Sequence, residues 1–464
     1  MGKWTATQLH ELSKGELIEL VLQLAEKVEQ LAEKVKDLQA EVERLKPPPA
    51  NSGNSSQPPS RDQKVNRPEP SVAKRRGAKP GHAKLERALV EQPDQIITVR
   101  AQKCQCGADL SEAQPLQVLR RQITELPECK PIVIETRQVE VECGCCGQVQ
   151  RGVLPEGLEA RRQFGPRLEA LVVYLQHQQH LSYERTQRLL QTVFQIDLSQ
   201  GGQACIIERA GQAAQPATEA IRDQVRQSAT IGSDETSARV DGRNWWQWVF
   251  RGPAGVYHVI RPSRGEDVIT EVMGDARAHN WVSDCWSPQL RAPAEHFQLC
   301  LAHQLRNLQR LVESCPCLRW ARQMQAVLRE AIHLGKRRSE LTASGFQRRV
   351  SEIESKLQRL IDRPVQTPQA RPLLKRYRKH RQHLLRFLHD PSVPHHNNDC
   401  ERSLRASVVH RKVTGGFRSA WGAQAYAAIA SVVDTAKLHN RPVFETLVNL
   451  MGKPVLPFLA FQNS

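Results

Sequence analysis

No apolar run in this 464-residue chain approaches the roughly 18 residues that a membrane-spanning helix requires. The opening stretch, MGKWTATQLHELSKGE, also has no apolar core of the signal-peptide kind. Both absences lead us to expect a cytoplasmic protein. Negative charge is in deficit too: 49 Asp and Glu stand against 66 Lys and Arg, a formal net charge of +17 at pH 7. An excess of that size, spread along most of the chain, points to a polyanionic partner, most simply nucleic acid. The alternative is a soluble basic protein with no such partner. A reducing compartment disfavours a disulfide framework, so the twelve cysteines, where they cluster, read as metal ligands. What remains is ample: 39% hydrophobic residues, enough for ordinary cores, in a length that suits about three domains.

The clearest periodicity runs from Leu17 to Leu45. Leu17, Leu24, Leu31, Leu38 and Leu45 recur every seven residues, with Val21, Val28, Val35 and Val42 between them. Leucine at d with a β-branched residue at a favours a parallel two-stranded coiled coil. The flanking Glu, Lys and Gln suit its solvated outside. A single amphipathic helix packed on its own chain is the alternative, but KPPPANSGNSSQPPS follows directly and leaves little to pack on. Residues 1–46 are therefore expected to join chains into a homodimer or higher oligomer. Residues 47–90 are rich in Pro, Ser, Asn and Gly and then basic, a composition that builds no core and reads as a flexible tether. Lys74, Arg75 and Arg76 in it suit phosphate contacts without base specificity, or simply keep the linker soluble.

The segment KCQCGADL supplies Cys104 and Cys106, and VECGCCGQVQRG supplies Cys143 and Cys146 at Cys-x-x-Cys spacing. Two such knuckles present four thiolates tetrahedrally to Zn2+; Cys145 is a rival to its neighbours, and ordinary buried cysteines are the alternative. The alternating, β-branched stretch from Ile123 to Cys143 predicts short strands that carry the knuckles within residues 91–160. Residues 161–227 read as helices, with Ser182 and Ser199 at N-caps. A helix, a turn and a second helix from Ser199 fit a helix-turn-helix that contacts DNA; a small helical bundle shares the pattern.

From Ser228 the pattern becomes a β-meander: a strand ending near Asp234, an aromatic strand from Trp245 to Phe250, and a third around Val256 to Ile260. A helix from about Gly265 to Met273, a strand running into Asp284 and another ending at Cys300 complete a mixed α/β sheet. Two strand ends thus deliver Asp234 and Asp284, carboxylates that are costly to bury without a partner. On the helix predicted from Asn398, Glu401, Leu404, Arg405 and Val408 share one face. Leu404 and Val408, packing on the sheet, should carry Glu401 inward. Three carboxylates facing one another at the edge of a basic surface suit two Mg2+ or Mn2+ ions. Such hard cations take oxygen ligands and clamp the attacking and leaving oxygens of a phosphodiester. Glu235, Asp241, Asp267 and Asp399 have the same chemistry, with caps, turns and solvated faces as their ordinary roles.

The stretches SDET…VDGRNWWQWVF, VSDCW…FQLCLAHQLRN, PHHNNDCERSLR…HRKVTGGFRS and ASVVDTAKLHNRPVFE resemble the transposases of insertion sequence family sixty-six, the TnpC type. The order of parts agrees over essentially the whole chain. The resemblance implies a ribonuclease-H-like α/β catalytic domain (228–304 and 391–440) interrupted by a helical insertion (305–390), with a tail at 441–464. Carried over by motif, the Asp-Asp-Glu metal site falls on Asp234, Asp284 and Glu401. Two departures stand out: the first knuckle is Cys-x-Cys-Gly rather than Cys-x-x-Cys-Gly, and Cys400 stands where a small residue is usual.

The expected whole is a multidomain α+β chain: coiled coil, linker, zinc-binding β segment, helix-turn-helix-like region and split catalytic domain. The resemblance implies metal-dependent cleavage at transposon ends and transfer of the freed 3′-hydroxyl into target DNA. Arg402, Arg405, Arg411 and Lys412, which follow Glu401 closely, are then candidate phosphate clamps, and the basic insertion helices are candidates for DNA contact. Cys300 and His303 read as fold-stabilising residues beside the insertion, and accessory proteins of the same element as partners left open. A non-catalytic DNA-binding regulator and a nuclease that cuts without joining are the competing classes.

Overall fold

The computed structural model describes residues 12–45, 50–55, 82, 87–154 and 162–452. Lys74, Arg75 and Arg76 lie outside the described residues. The chain divides into two units, the smaller made of residues 63–135 and 187–198. No helix among the described residues is long and apolar enough to cross a membrane.

Helix α1 spans Lys14–Leu45. Its start is a capping box: the Ser13 amide donates to Glu16 Oε2 at 2.8 Å and the Glu16 amide to Ser13 Oγ at 3.3 Å, which satisfies two otherwise orphaned donors. Val21, Leu24, Val28, Leu31, Val35 and Leu38 form an exposed apolar seam along it. Strands β1 (Glu140–Glu142) and β2 (Val149–Arg151) pair antiparallel around the Cys143 turn. Short strands were expected between Ile123 and Cys143; among these residues β1 alone forms, leading into Cys143, and it pairs with β2 beyond the turn. Alternation makes a segment compatible with a strand, but a strand also needs a neighbour's ladder, and only the tight turn at Cys143 brings one.

Three helices follow: α2 (Pro166–His177), α3 (Tyr183–Phe194) and α4 (Gln200–Arg226). Both predicted caps are present, with the Arg185 amide on Ser182 Oγ and the Gly202 amide on Ser199 Oγ. Helix α4 ends at Arg226, close to the expected end of the helical region at 227. Its buried Ile206, Ala210, Gly211, Ala214, Ile221 and Val225 supply an apolar face over its full length. Glu169, fully buried on α2, is held between Arg162 at 2.8 Å and Arg209 at 2.6 Å, so its charge is paired on both oxygens.

The sheet comprises β3 (Thr230–Val240), β4 (Arg243–Arg251), β5 (Val256–Arg261), β6 (Ala278–Ser283) and β7 (Ala294–Leu299), with α5 (Glu266–Met273) between β5 and β6. Its order is β5-β4-β3-β6-β7, with β3–β4 and β4–β5 antiparallel and β3–β6 and β6–β7 parallel. On one face Ile231, Trp248, Phe250 and Trp281 pack with Val268, Ile269 and Met273 of α5. Truncating one such buried aromatic costs about 3–5 kcal/mol, so the strands are firmly fixed.

After β7 come α6 (Leu301–Ser314), α7 (Arg319–Lys336), α8 (Ala343–Asp362), α9 (Arg371–Lys379) and the short α10 (Arg386–His389). Their Trp320, Met324, Leu328, Phe346, Val350, Leu357 and Tyr377 share one core with Val282 of β6 and Leu299 of β7. The chain then returns through α11 (Asn398–Thr414), α12 (Ala420–Leu438) and α13 (Val443–Met451). The architecture is thus mixed α/β, with a mixed sheet and a helical layer packed on its β6–β7 side, as expected of a multidomain α+β chain.

Candidate functional site

Parallel register sets two carboxylates side by side. Gly232 of β3 pairs with Val282 of β6, so two residues on, where the parallel ladder ends, Asp234 and Asp284 are level and on one face. The expected strand end at Asp234 is corrected here. Strand β3 continues to Val240 because its hairpin with β4 extends the antiparallel ladder through Asp234↔Val249 to Val240↔Arg243. Only the β6 side of the strand is open at Asp234.

Helix α11 brings the third carboxylate. Its buried residues are Cys400, Leu404 and Ser407, and Cys400 and Leu404 pack on Val249 and Val256. The expected Leu404–Val408 face is therefore rotated: Val408 is half-buried, and Glu401 sits at the flank of the inward stripe. The rotation follows from a close approach at Gly232, where a Cβ would lie 2.9 Å from Cys400 Sγ and 3.2 Å from Asn397 Oδ1. Asn397 ties the entry of the helix to β3 by donating to the Ser233 carbonyl at 2.7 Å.

The electrostatics are those of gathered like charges. Burial pushes the Asp234 carboxyl well above the usual carboxylate range, and Glu235, Asp284 and Glu401 add to the push. Burial raises Asp284 as well, against the Trp286 amide, Arg264 and Arg376. The Glu401 Oε1 atom is buried without a hydrogen bond and lies 3.5 Å from Arg306 and 3.6 Å from His303. His303, read from sequence as a scaffold residue, therefore faces the site. Burial and Arg306 hold its pKa down to about 4, which leaves a neutral imidazole.

Among the rivals, Asp241 occupies the β3–β4 turn with φ 48°, Asp267 accepts from Ser263 at 2.6 Å beside the start of α5, and Asp399 is half-exposed near Arg402 at 3.5 Å. These are ordinary turn, cap and surface roles. Glu235 differs. Its side chain is only 2% exposed, Arg264 grips Oε1 through Nε at 3.0 Å and Nη2 at 2.8 Å, and Gln289 donates to Oε2. The Arg264 guanidinium stacks over Trp246 at 4.5 Å and Trp286 at 4.1 Å. Burial, then Asp284, still raises the Glu235 carboxyl, with Arg264 and Gln289 opposing. Sequence reading gave Arg264 and Gln289 no role; the "WW" pair, the "PSRG" turn and "DCW" were the signals available.

Arg402, Arg405 and Lys412 lie exposed along the outer side of α11, and Arg411 is half-buried with its guanidinium on Ser237 Oγ. Each of the two cysteine pairs closes a turn on a left-handed glycine. The Gly107 amide donates to the Cys104 carbonyl at 2.9 Å with φ 91°, and the Gly147 amide to the Cys143 carbonyl at 2.8 Å with φ 68°. The Ala108 amide and Cys104 lower the Cys106 thiol, and the Cys145 and Cys146 amides lower that of Cys143. Such turns suit thiolate ligands.

A carboxylate-lined strand edge under a basic helix is the setting of a DNA-acting enzyme, and one known family fits it. The family model described as Transposase IS66 family matches residues 161–425, more than half of the chain, and the protein belongs to that family. A comparison with curated proteins returns no match.

Proposed function

We propose that this protein is a metal-dependent DNA transposase that cuts at transposon ends and joins them to target DNA on a ribonuclease-H-like sheet. The observation that carries the reading is the convergence of Asp234 and Asp284, just past the end of the parallel β3–β6 ladder, with Glu401 from a helix start, Asp234 being raised by burial and then by its acidic neighbours. The strand order, with three antiparallel strands followed by two parallel ones, supports the ribonuclease-H-like assignment.

An all-oxygen donor set whose charges repel fits hard divalent cations. When bound, two Mg2+ or Mn2+ supply the activation of the attacking oxygen and the neutralisation of the leaving one. The chain's own part is to fix the ligands. Strands β3 and β6 hold Asp234 and Asp284 in register, and the Gly232–Cys400 contact sets the depth of α11 and hence of Glu401. Arg264 restrains Glu235 directly behind Asp234. Arg402, Arg405, Arg411 and Lys412 on α11, with Lys74, Arg75 and Arg76 in the tether, supply cations for phosphates. The exposed seam of α1 supports parallel pairing of two chains, which suits an enzyme that acts on two ends. Cys104, Cys106, Cys143 and Cys146 would hold a structural Zn2+.

The test is incubation of purified protein with labelled transposon-end DNA in Mg2+ or Mn2+, beside Glu401→Gln. Nicked and joined strands from the wild type, none from the variant, and DNA binding by both are expected. A variant that cuts as well as wild type would overturn the assignment of Glu401. Cleavage without joined product would indicate a nuclease.

A further inference from the structure

We propose that Cys300, His303 and Glu401 form a second metal site, which takes Zn2+ and in doing so draws Glu401 away from Asp234 and Asp284. A thiol sulfur, an imidazole nitrogen and a carboxylate oxygen from these residues lie within 4.8 Å of one another. His303 Nδ1 and Glu401 Oε1 are both buried, both lack a hydrogen-bond partner, and stand 3.6 Å apart. That separation is too long for a hydrogen bond. It matches the spacing of two ligands around one tetrahedral ion, about 3.3–3.6 Å for bonds of about 2.0–2.3 Å. Arg306 Nη2 approaches the same Glu401 oxygen to 3.5 Å without hydrogen-bonding it, so two buried polar atoms are left facing a shared point.

The local sequence explains the convergence. Cys300 stands at the N-cap of α6 and His303 three residues on, so one turn of helix presents both on the same side. Asn397, at the N-cap of α11, donates its amide to Cys300 Sγ at 3.2 Å. The amides of His303 and Ala302 also point at that sulfur. Burial pushes the Cys300 thiol up, with these amides opposing it, so its proton leaves to solvent only as the metal binds.

The donor types choose the ion. Mg2+ and Ca2+ take oxygen and avoid sulfur, whereas a Cys/His/carboxylate set is suited to Zn2+. Three protein ligands leave one coordination position open. Glu401 cannot serve this ion and the oxygen-only site with the same geometry, so zinc occupancy opposes the Mg2+-dependent reaction. That consequence rests on the proposed function; the binding itself does not.

The test uses the full chain and Co2+ as a spectroscopic probe. Cys300→Ser should lose one Co2+ per chain together with its thiolate-to-cobalt absorption, while Cys143→Ser, in the zinc segment, should keep that band. His303→Ala and Glu401→Gln should weaken this Co2+ by about tenfold or more, as loss of ligand support does. Circular dichroism reports folding; where Cys300→Ser does not fold, the half-buried His303→Ala carries the test. Added Zn2+ should inhibit Mg2+-supported cleavage at least tenfold more strongly in wild type than in His303→Ala. Wild-type Co2+ stoichiometry and absorption in folded His303→Ala and Glu401→Gln would overturn the proposal. A Co2+ band that responds to these variants while Glu401→Gln still cuts DNA would instead sink the catalytic reading and leave the zinc site standing.

Discussion

Removing Arg264 should cost more than its exposure suggests. Its side chain is 37% exposed, but its partner Glu235 is 2% exposed and has only Gln289 besides. In Arg264→Met the carboxylate stays buried with its main counter-charge gone. Breaking a fully buried pair costs about 3–5 kcal/mol; the solvent that reaches Arg264 screens this to about 2 kcal/mol. Loss of stacking on Trp246 and Trp286 adds about 0.5–1 kcal/mol each at such partly wet positions. The total is about 3–4 kcal/mol, which lowers the melting temperature by about 6–16 °C for a body of this size.

Glu235→Gln should behave differently. It leaves Arg264 able to reach water and keeps the shape of the side chain, so about 1 kcal/mol is expected. The double variant should then resemble Glu235→Gln, because a neutral amide no longer needs the guanidinium. Thermal unfolding followed by tryptophan fluorescence reads all three, since Trp246 and Trp286 report on this site. Additive losses, or a change under about 0.5 kcal/mol for Arg264→Met, would refute the claim that Arg264 exists to neutralise Glu235.

Asp234 should make the fold less stable as pH rises. Its folded pKa is raised, so the folded state keeps a proton that the unfolded state has lost. Stability therefore falls from the ordinary carboxylate range, near about 4, up through the raised value, and levels off above it. Asp234→Asn should flatten that slope and stabilise the protein at neutral pH by about 0.5–2 kcal/mol while abolishing cleavage, the usual exchange at a functional site. A steeper slope, read by melting temperature in a chelator-containing pH series, would count against it. Leu31→Lys, in the exposed seam of α1, should convert an oligomer to a monomer by light scattering, because a charge replaces a leucine whose burial contributes about 1.5–3 kcal/mol. An unchanged mass would remove the coiled coil from the account.

Some of this site was legible because its signals are local. Strand-forming runs before Asp234 and Asp284 fixed which residues stand near open ladder ends, and the periodicity of α11 from Asn398 located Glu401 near a helix start. The tilt of that helix was not legible. Whether Val408 or Ser407 faces inward depends on how closely Cys400 approaches Gly232, a contact between residues far apart in sequence. The length of β3 was missed for a related reason: polar residues from Ser233 to Ser237 hide a ladder that Trp245 to Phe250 complete from the neighbouring strand. Glu235 looked like one acid among many, because its value lies in Arg264 and Gln289, which are brought to it by separate loops.

The contrast of acid and base in this chain resolves into distance from the sheet edge. Cations nearest the carboxylates are engaged with them: Arg264 with Glu235, Arg306 with Glu401, and Arg376 within electrostatic range of Asp284. These arginines reduce the cost of gathering acids but do not abolish it, since Asp234 and Asp284 remain raised. Further along α11, Arg405 and Lys412 face outward, Arg411 is half-buried against Ser237, and Arg402 stands 3.5 Å from the half-exposed Asp399. The strain at the centre is borne by the aromatic layer of Trp248, Phe250 and Trp281 behind β3, which holds the backbone whether or not the carboxylates are neutralised. A sheet that relied on its acids for stability would unfold when they repelled one another. This sheet holds Asp234 and Asp284 in place whatever their protonation, so that a cation arriving there can displace the proton that burial and repulsion favour.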